Sequence, residues 1–151
     1  GMSGLLKVFP GVPLVMTHRD VGQVLPSYCS MCASMSLGAS TTYRREVQGA
    51  HWTSRFRTGL ERFEAWRKTL PQGRIVDVRY EDTVADPVGT AGRVMQSIGL
   101  GFDDADRAAM EACIAANARE NRPRHKYSAE EFGLTRAGIA ADFAFYHDRY
   151  L

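Results

Sequence analysis

The sequence predicts an α/β protein, helix-rich with a short parallel sheet of about two strands and five or six helices. Three observations carry this. The run Leu14-Val15-Met16-Thr17 is continuously apolar, as suits a strand buried on both faces in a parallel sheet. The segment Arg74–Tyr80, RIVDVRY, alternates with the period of two that a second strand requires. Elsewhere apolar residues recur at helical spacing between caps and Pro-Gly breaks. At 151 residues the chain is long enough for one domain, spanning 1–151, with a real core.

Each element follows from local chemistry. Leu5, Leu6, Val8 and Phe9 form the tail of an apolar helix that Pro10-Gly11 stops. After the first strand, Asp20 is the natural N-cap of a helix from Val21 to about Leu37. Its stripe is Val21, Val24, Leu25, Tyr28, Cys29, Cys32 and Met35, and Pro26 interrupts it. A long helix covers Tyr43 to Leu70, with Trp52, Phe56, Leu60, Phe63, Trp66 and Leu70 on one face and a crowd of arginines elsewhere. Pro71-Gln72-Gly73 ends it. After the second strand, Asp86-Pro87 is an N-cap with proline at the first helical position, and Gly99 suits the C′ position. Asp103 caps a helix expected to turn Ala109, Met110, Cys113 and Ile114 inward. Ser128 and Glu131 have capping-box spacing. Thr135 caps a last helix with Ile139, Phe143, Tyr146 and Tyr150 inward. Two strands make a poor sheet for so many helices, so the sheet reads as incomplete within one chain.

Composition narrows the function. Hydrophobic content of 44%, charged content of 24% and a net charge of +2 suit an ordinary globular protein and give no global case for nucleic acid. No apolar run reaches the length of a membrane span, and the N-terminus lacks a signal-peptide pattern, so a cytoplasmic protein is expected. Gly1 before Met2 reads as a tag remnant. Cys29 and Cys32 have C-x-x-C spacing, but both fall on or beside a helical apolar stripe with no second ligand pair, which favours core packing over metal or redox chemistry.

Three groups of residues could carry chemistry. Arg19 stands at a strand tip beside a helix start, where unpaired backbone N–H groups can face an anion. Ser27, seven residues past Asp20, lies two turns along nearly the same face. Together they could grip a phosphate; equally, the arginine could be structural and the serine could bond back to its own helix. Tyr80, followed by Glu81-Asp82, closes the second strand where open α/β sheets place ligands, and could cover a base or simply end a core strand. The basic loop from Arg119 to Tyr127 sets Arg119, Arg122, Arg124, His125 and Lys126 against Glu120 alone. It could clamp a small phosphorylated ligand, form a plain surface, or bind nucleic acid; thin aromatic interleaving argues against the last.

The strand tip Thr17-His18-Arg19-Asp20, the serine eight residues after the arginine, the segment Val78-Arg79-Tyr80-Glu81-Asp82, the helix opened by Asp86-Pro87 and the loop Arg124–Ser128 together resemble the PAPS-dependent sulfotransferase family, in its bacterial branch. Order and spacing match along nearly the whole chain. The family usually has Asp-Pro where this chain has Asp20-Val21. The resemblance implies a P-loop-like sulfotransferase fold, truncated, and sulfuryl transfer from PAPS to a hydroxyl or amine acceptor. It implies that Arg19 and Ser27 hold the cofactor's 3′-phosphate, that Tyr80 lies near the adenine, and that Arg124 and Lys126 close over the 3′-phosphate. The family's 5′-phosphosulfate loop and catalytic histidine with its lysine would lie upstream of the Leu5–Phe9 helix. The chain therefore resembles the C-terminal half to two-thirds of such an enzyme. On this reading it has no assignable catalytic residue, no metal, and weak affinity for PAPS or adenosine 3′,5′-bisphosphate. The alternatives are an inactive remnant whose copies pair as a homo-oligomer to cover the incomplete sheet, and, behind it, a nucleic-acid binder acting through residues 119–126.

Overall fold

The computed structural model describes residues 2–36, 43–117 and 127–151. In chain order the elements are α1 (Met2–Val8), β1 (Leu14–His18), α2 (Val21–Ser36), α3 (Arg45–Arg67), β2 (Ile75–Arg79), α4 (Tyr80–Ala85), α5 (Pro87–Ser97), α6 (Asp104–Asn117), a 3₁₀ turn (Glu130–Phe132), α7 (Arg136–Asp142) and α8 (Ala144–Tyr150). Two compact units result, one from residues 1–18 and 70–121, the other from residues 19–69 and 122–151.

In the first unit β1 and β2 pair in parallel, with Leu14 opposite Ile75 and His18 opposite Arg79. β1 is not buried on both faces as its apolarity suggested. Leu14 and Met16 are half-buried and His18 is buried, while Val15 and Thr17 are exposed. The reason is topological: among the described residues β1 pairs with β2 alone. Register and alternation put His18 and Asp77 on one face, and His18 Nε2 lies 2.8 Å from Asp77 Oδ1. That contact satisfies a ring that is 1% exposed. The Arg74 guanidinium donates to the carbonyls of Pro10 and Gly11, tying the turn after α1 to the start of β2.

The helix starts follow their caps. Asp86 accepts from Gly89 N–H at 2.8 Å with Pro87 at the first helical position, and Gly99 closes α5 at φ +76°. Asp103 Oδ1 accepts from Ala105 and Asp106 N–H, both at 2.9 Å. α6 itself differs from expectation. Cys113 and Ile114 are exposed and Met110 is only half-buried, so the stripe has the right period but buries no side chain fully. Tyr80 also differs: the strand ends at Arg79, and Tyr80 opens α4, whose first turn carries Glu81 and Asp82. Carboxylates there suit the positive end of a helix dipole.

The second unit holds the larger apolar cluster. Val21, Leu25, Cys29 and Ala33 of α2 meet Phe132, Leu134, Ile139, Phe143 and Tyr146, with Tyr43, Trp52, Phe56 and Leu60 packed around them. Thr135 caps α7 by accepting from Gly138 N–H at 3.1 Å. The helix expected from Thr135 onward is broken at Phe143, which is fully buried, into α7 and α8. At its far end, the Tyr150 hydroxyl donates to Glu64, which also pairs with Arg149 at 2.7 Å. Burial, then the Glu64 carboxylate, push the Tyr150 phenol up to about 12.

One close approach fixes α3. A Cβ on Gly49 would overlap the Phe132 carbonyl oxygen and stand 2.7 Å from Leu134 Cγ, whereas a Cβ on Gly59 of the same helix meets nothing within 4 Å. Overpacking costs about 1–3 kcal/mol, against a gain of roughly 0.5–1 kcal/mol from replacing a helical glycine by alanine. In urea unfolding, Gly49→Ala is expected to lose about 1–2 kcal/mol net and Gly59→Ala to gain up to about 1 kcal/mol. A stabilised Gly49→Ala would show that α3 does not lie against Phe132.

Candidate anion site

The site begins where β1 passes through Arg19 and Asp20 into α2. Asp20 caps as the sequence predicts: its Oδ1 accepts from Gly22 N–H at 2.7 Å, and its carbonyl accepts from Gln23 and Val24 N–H at 3.0 and 3.1 Å. Val21 N–H donates to His147 Nε2 at 3.3 Å. The first-turn amides are therefore all partnered. This corrects the expectation that unpaired N–H groups at this helix start would face an anion, and it leaves the work to side chains.

Arg19 is half-buried, and its Nη2 donates to Gln23 Oε1 at 3.2 Å, one helical turn on. The guanidinium is thus laid along the row of α2 that Gln23 and, one turn further, Ser27 occupy. Arg19, Gly22, Gln23 and Pro26 line one side of a cleft of about 330 Å³; Tyr127, Ser128, Ala129, Glu130 and Arg136 complete it. That volume lies at the low end of roughly 300–1,000 Å³ for ligand sites. Ser27 is exposed and is not part of this lining.

Arg136 was missed by sequence reading. It is the first residue of α7, directly after the Thr135 cap. Its place in the lining depends on the fold of 127–136, whose start is fixed by a reciprocal capping box: Ser128 N–H to Glu131 Oε1 at 3.3 Å, and Glu131 N–H to Ser128 Oγ at 3.4 Å. The box was legible; the cation eight residues after Ser128 had no local signal. The cleft thus sets two guanidinium groups against one carboxylate, Glu130. A second cleft of about 480 Å³ lies along α3 and α7, but its cation, Arg57, already pairs with Glu61 at 2.9 Å and Asp142 at 3.4 Å.

Tyr80 is 39% exposed at the start of α4 in the first unit. Arg124 and Lys126, with the basic loop before Tyr127, lie outside the described residues. Among the described residues no three His, Cys, Asp or Glu side chains stand close enough to hold a metal ion. No helix among them is long and apolar enough to cross a membrane. Tyr43 and Trp52 each carry a buried polar atom, Oη and Nε1, with no hydrogen-bond partner among the described residues.

Comparison with known proteins gives one consistent result. The sequence model described as the sulfotransferase family matches residues 2–104. A search of curated proteins finds no match. Among solved structures, the chain is similar to the sulfotransferase STF1 from Mycobacterium tuberculosis H37Rv, with a TM-score of 0.80 and 31% identity. It also resembles, in fold, the sulfotransferase STF9 from Mycobacterium avium, with a TM-score of 0.85 and 23% identity. The alignments cover 96% and 97% of this chain but span only 36% and 38% of the two solved chains.

The thiols test how deeply α2 is packed. Cys29 is fully buried, Cys32 half-buried and Cys113 exposed. Burial, reinforced by the neighbouring Cys32 thiol, pushes the Cys29 thiol up to about 11. Only about a thousandth of such a thiol is ionised at pH 8. Iodoacetamide at pH 8 is expected to label Cys113 readily and to leave Cys29 unmodified until the protein is unfolded. Mass spectrometry of tryptic peptides reads this directly, and native-state labelling of Cys29 would contradict the packing.

Proposed function

The chain belongs to the sulfotransferase family, and from that premise we propose that it carries the part of a sulfotransferase that grips the 3′-phosphate and adenine of PAPS. The reaction would transfer a sulfuryl group from PAPS to a hydroxyl or amine acceptor. The supporting observation is the Arg19 guanidinium, oriented by Gln23 and lining a cleft with Ser128 and Arg136. A planar fork suits the paired oxygens of a phosphate. Ser27, exposed one turn beyond Gln23 on the same row of α2, would add a hydroxyl donor. Tyr80 is proposed to contact the adenine, and Arg124 and Lys126 to close over the phosphate.

When bound, PAPS supplies the activated sulfuryl group; the chain's own residues hold and orient. Such transfers depend on positioning and on neutralising charge, and then on a base that takes the acceptor's proton. We assign that base to none of the described histidines. His18 is buried against Asp77, His147 accepts from the Val21 amide, and His51 packs edge-on against Trp52 at 5.0 Å. A cytoplasmic setting belongs to the same reading.

A second reading, a non-catalytic oligomeric module, is favoured by the apolar side chains that the first unit leaves uncovered. Val8, Phe9, Val15 and Val84 are 44–69% exposed. Pairing of two chains would cover them.

Two measurements separate these readings. In calorimetry, adenosine 3′,5′-bisphosphate is expected to bind in a salt-sensitive manner. Arg19→Ala should weaken binding about 10- to 100-fold, the range for a lost charge-assisted contact. Ser27→Ala should weaken it by roughly 5-fold, as for a neutral hydrogen bond. Equal heats for wild type and Arg19→Ala would remove Arg19 from the site. Light scattering at micromolar concentration should show a dimer if the second reading holds; a monomer there would count against it.

A further inference from the structure

One contact at the start of α2 has two incompatible halves. His147 Nε2, on α8, lies 3.3 Å from Val21 N and 3.3 Å from Asp20 Oδ1. A ring nitrogen has one in-plane position, which holds either a lone pair or a proton. With a lone pair, Nε2 accepts from Val21 N–H. With a proton, it donates to the Asp20 carboxylate, and Val21 N–H loses its acceptor. The two partners adjoin in sequence, and Asp20 follows directly on Arg19.

We propose that His147 is a positioning residue for the Arg19 anion site, and that the proton on Nε2 selects between two arrangements of the α2 start. This rests on the reading that Arg19 holds a phosphate group. In the neutral ring with its proton on Nδ1 the first-turn amides are all partnered and closed to an anion. In the protonated arrangement an imidazolium stands on Asp20, and Val21 N–H becomes a free donor at the positive end of α2. Both changes favour an anion beside Arg19, so proton uptake at His147 and phosphate binding reinforce each other.

The charged surroundings of His147 fit this role. The carboxylate facing it is Asp20, whose Oδ1 already accepts from Gly22 N–H at 2.7 Å. On its own helix Tyr146 lies at 6.1 Å between ring centroids, and Asp148 and Arg149 follow in sequence. From α3, Glu64 engages α8 further along, at Arg149 and Tyr150, and Arg67 lies over the Tyr150 ring. His147 is 24% exposed on its side chain, so solvent protons reach it. Sequence reading had no means to find it, because the partners are 126 residues apart.

The test has a ligand-free arm and a ligand arm. Without ligand, the Val21 amide resonance is followed between pH 5 and 8. In wild type it should move through a single-proton transition, and its hydrogen exchange should quicken on the acid side. In His147→Gln, whose amide oxygen accepts permanently, both should be flat. His147→Asn, with a shorter reach, is the second variant should the first fold poorly. With ligand, calorimetry of adenosine 3′,5′-bisphosphate should show wild-type affinity rising about 3- to 5-fold more than that of His147→Gln from pH 8 to pH 5.5. The variant carries the nucleotide's own titration and so subtracts it. A Val21 amide indifferent to pH, or parallel affinity profiles, overturns the proposal. A Val21 amide that titrates in a protein with no bisphosphate affinity at any pH sustains the switch at α2 and overturns the nucleotide reading instead.

Discussion

The candidate site depends on how the first turn of α2 is closed. Helix starts attract anions because their amides lack partners, and the dipole places roughly half a positive charge there. Here Asp20 takes three of those amides, through its carboxylate and its carbonyl, and His147 takes the fourth. On the phosphate reading an anion would meet side chains here, the Arg19 guanidinium among them, a cation with donors in one plane. Gln23, which orients it, is a neutral acceptor. That contact spends side-chain freedom without cancelling charge, as a carboxylate in its place would do.

The opposite wall of the cleft depends on the second unit's core. Tyr127 to Glu130 leads into the 3₁₀ turn whose Phe132 is 1% exposed. Burying a phenylalanine contributes about 2–3 kcal/mol. Gly49 lets α3 approach the Phe132 carbonyl, and Gly133, at φ +67°, turns the chain beside the Glu46 carbonyl. Neither position has room for a side chain. Arg45 to Glu131 at 3.0 Å adds a surface pair of small value. The wall is thus held by shape and burial, and the cleft residues Ser128 and Arg136 inherit their placement from it.

What could be read from the sequence was what is local. Asp20, Asp86, Asp103 and Thr135 all cap where cap chemistry placed them, because a cap is decided within three residues. The Ser128–Glu131 box was legible for the same reason. The parallel pair of strands and the helix-rich class followed from periodicity, and the family resemblance is matched by the sulfotransferase comparison over residues 2–104. Three features were not local. β1 has the composition of a strand covered on both sides, yet Val15 and Thr17 are open, since composition records propensity and not neighbours. α6 has a regular apolar stripe without a layer that buries it. Arg136 and His147 meet the start of α2 only because α7 and α8 fold back onto it, and no spacing in the chain announces that. The break at Phe143 belongs here too: one helical pattern became two helices around a fully buried ring.

The two functional readings draw on different residues, which is why neither displaces the other. The proposed phosphate recognition would rest on Arg19, Gln23, Ser27 and Arg136, all in the second unit. Association rests on apolar side chains of the first, among them Val8, Phe9, Val15 and Val84. Covering a large apolar side chain contributes about 1.5–3 kcal/mol. Covering apolar surface is non-directional, whereas holding an anion requires donors in a fixed geometry. A charged side chain at Val15 would weaken the first without altering any group that serves the second.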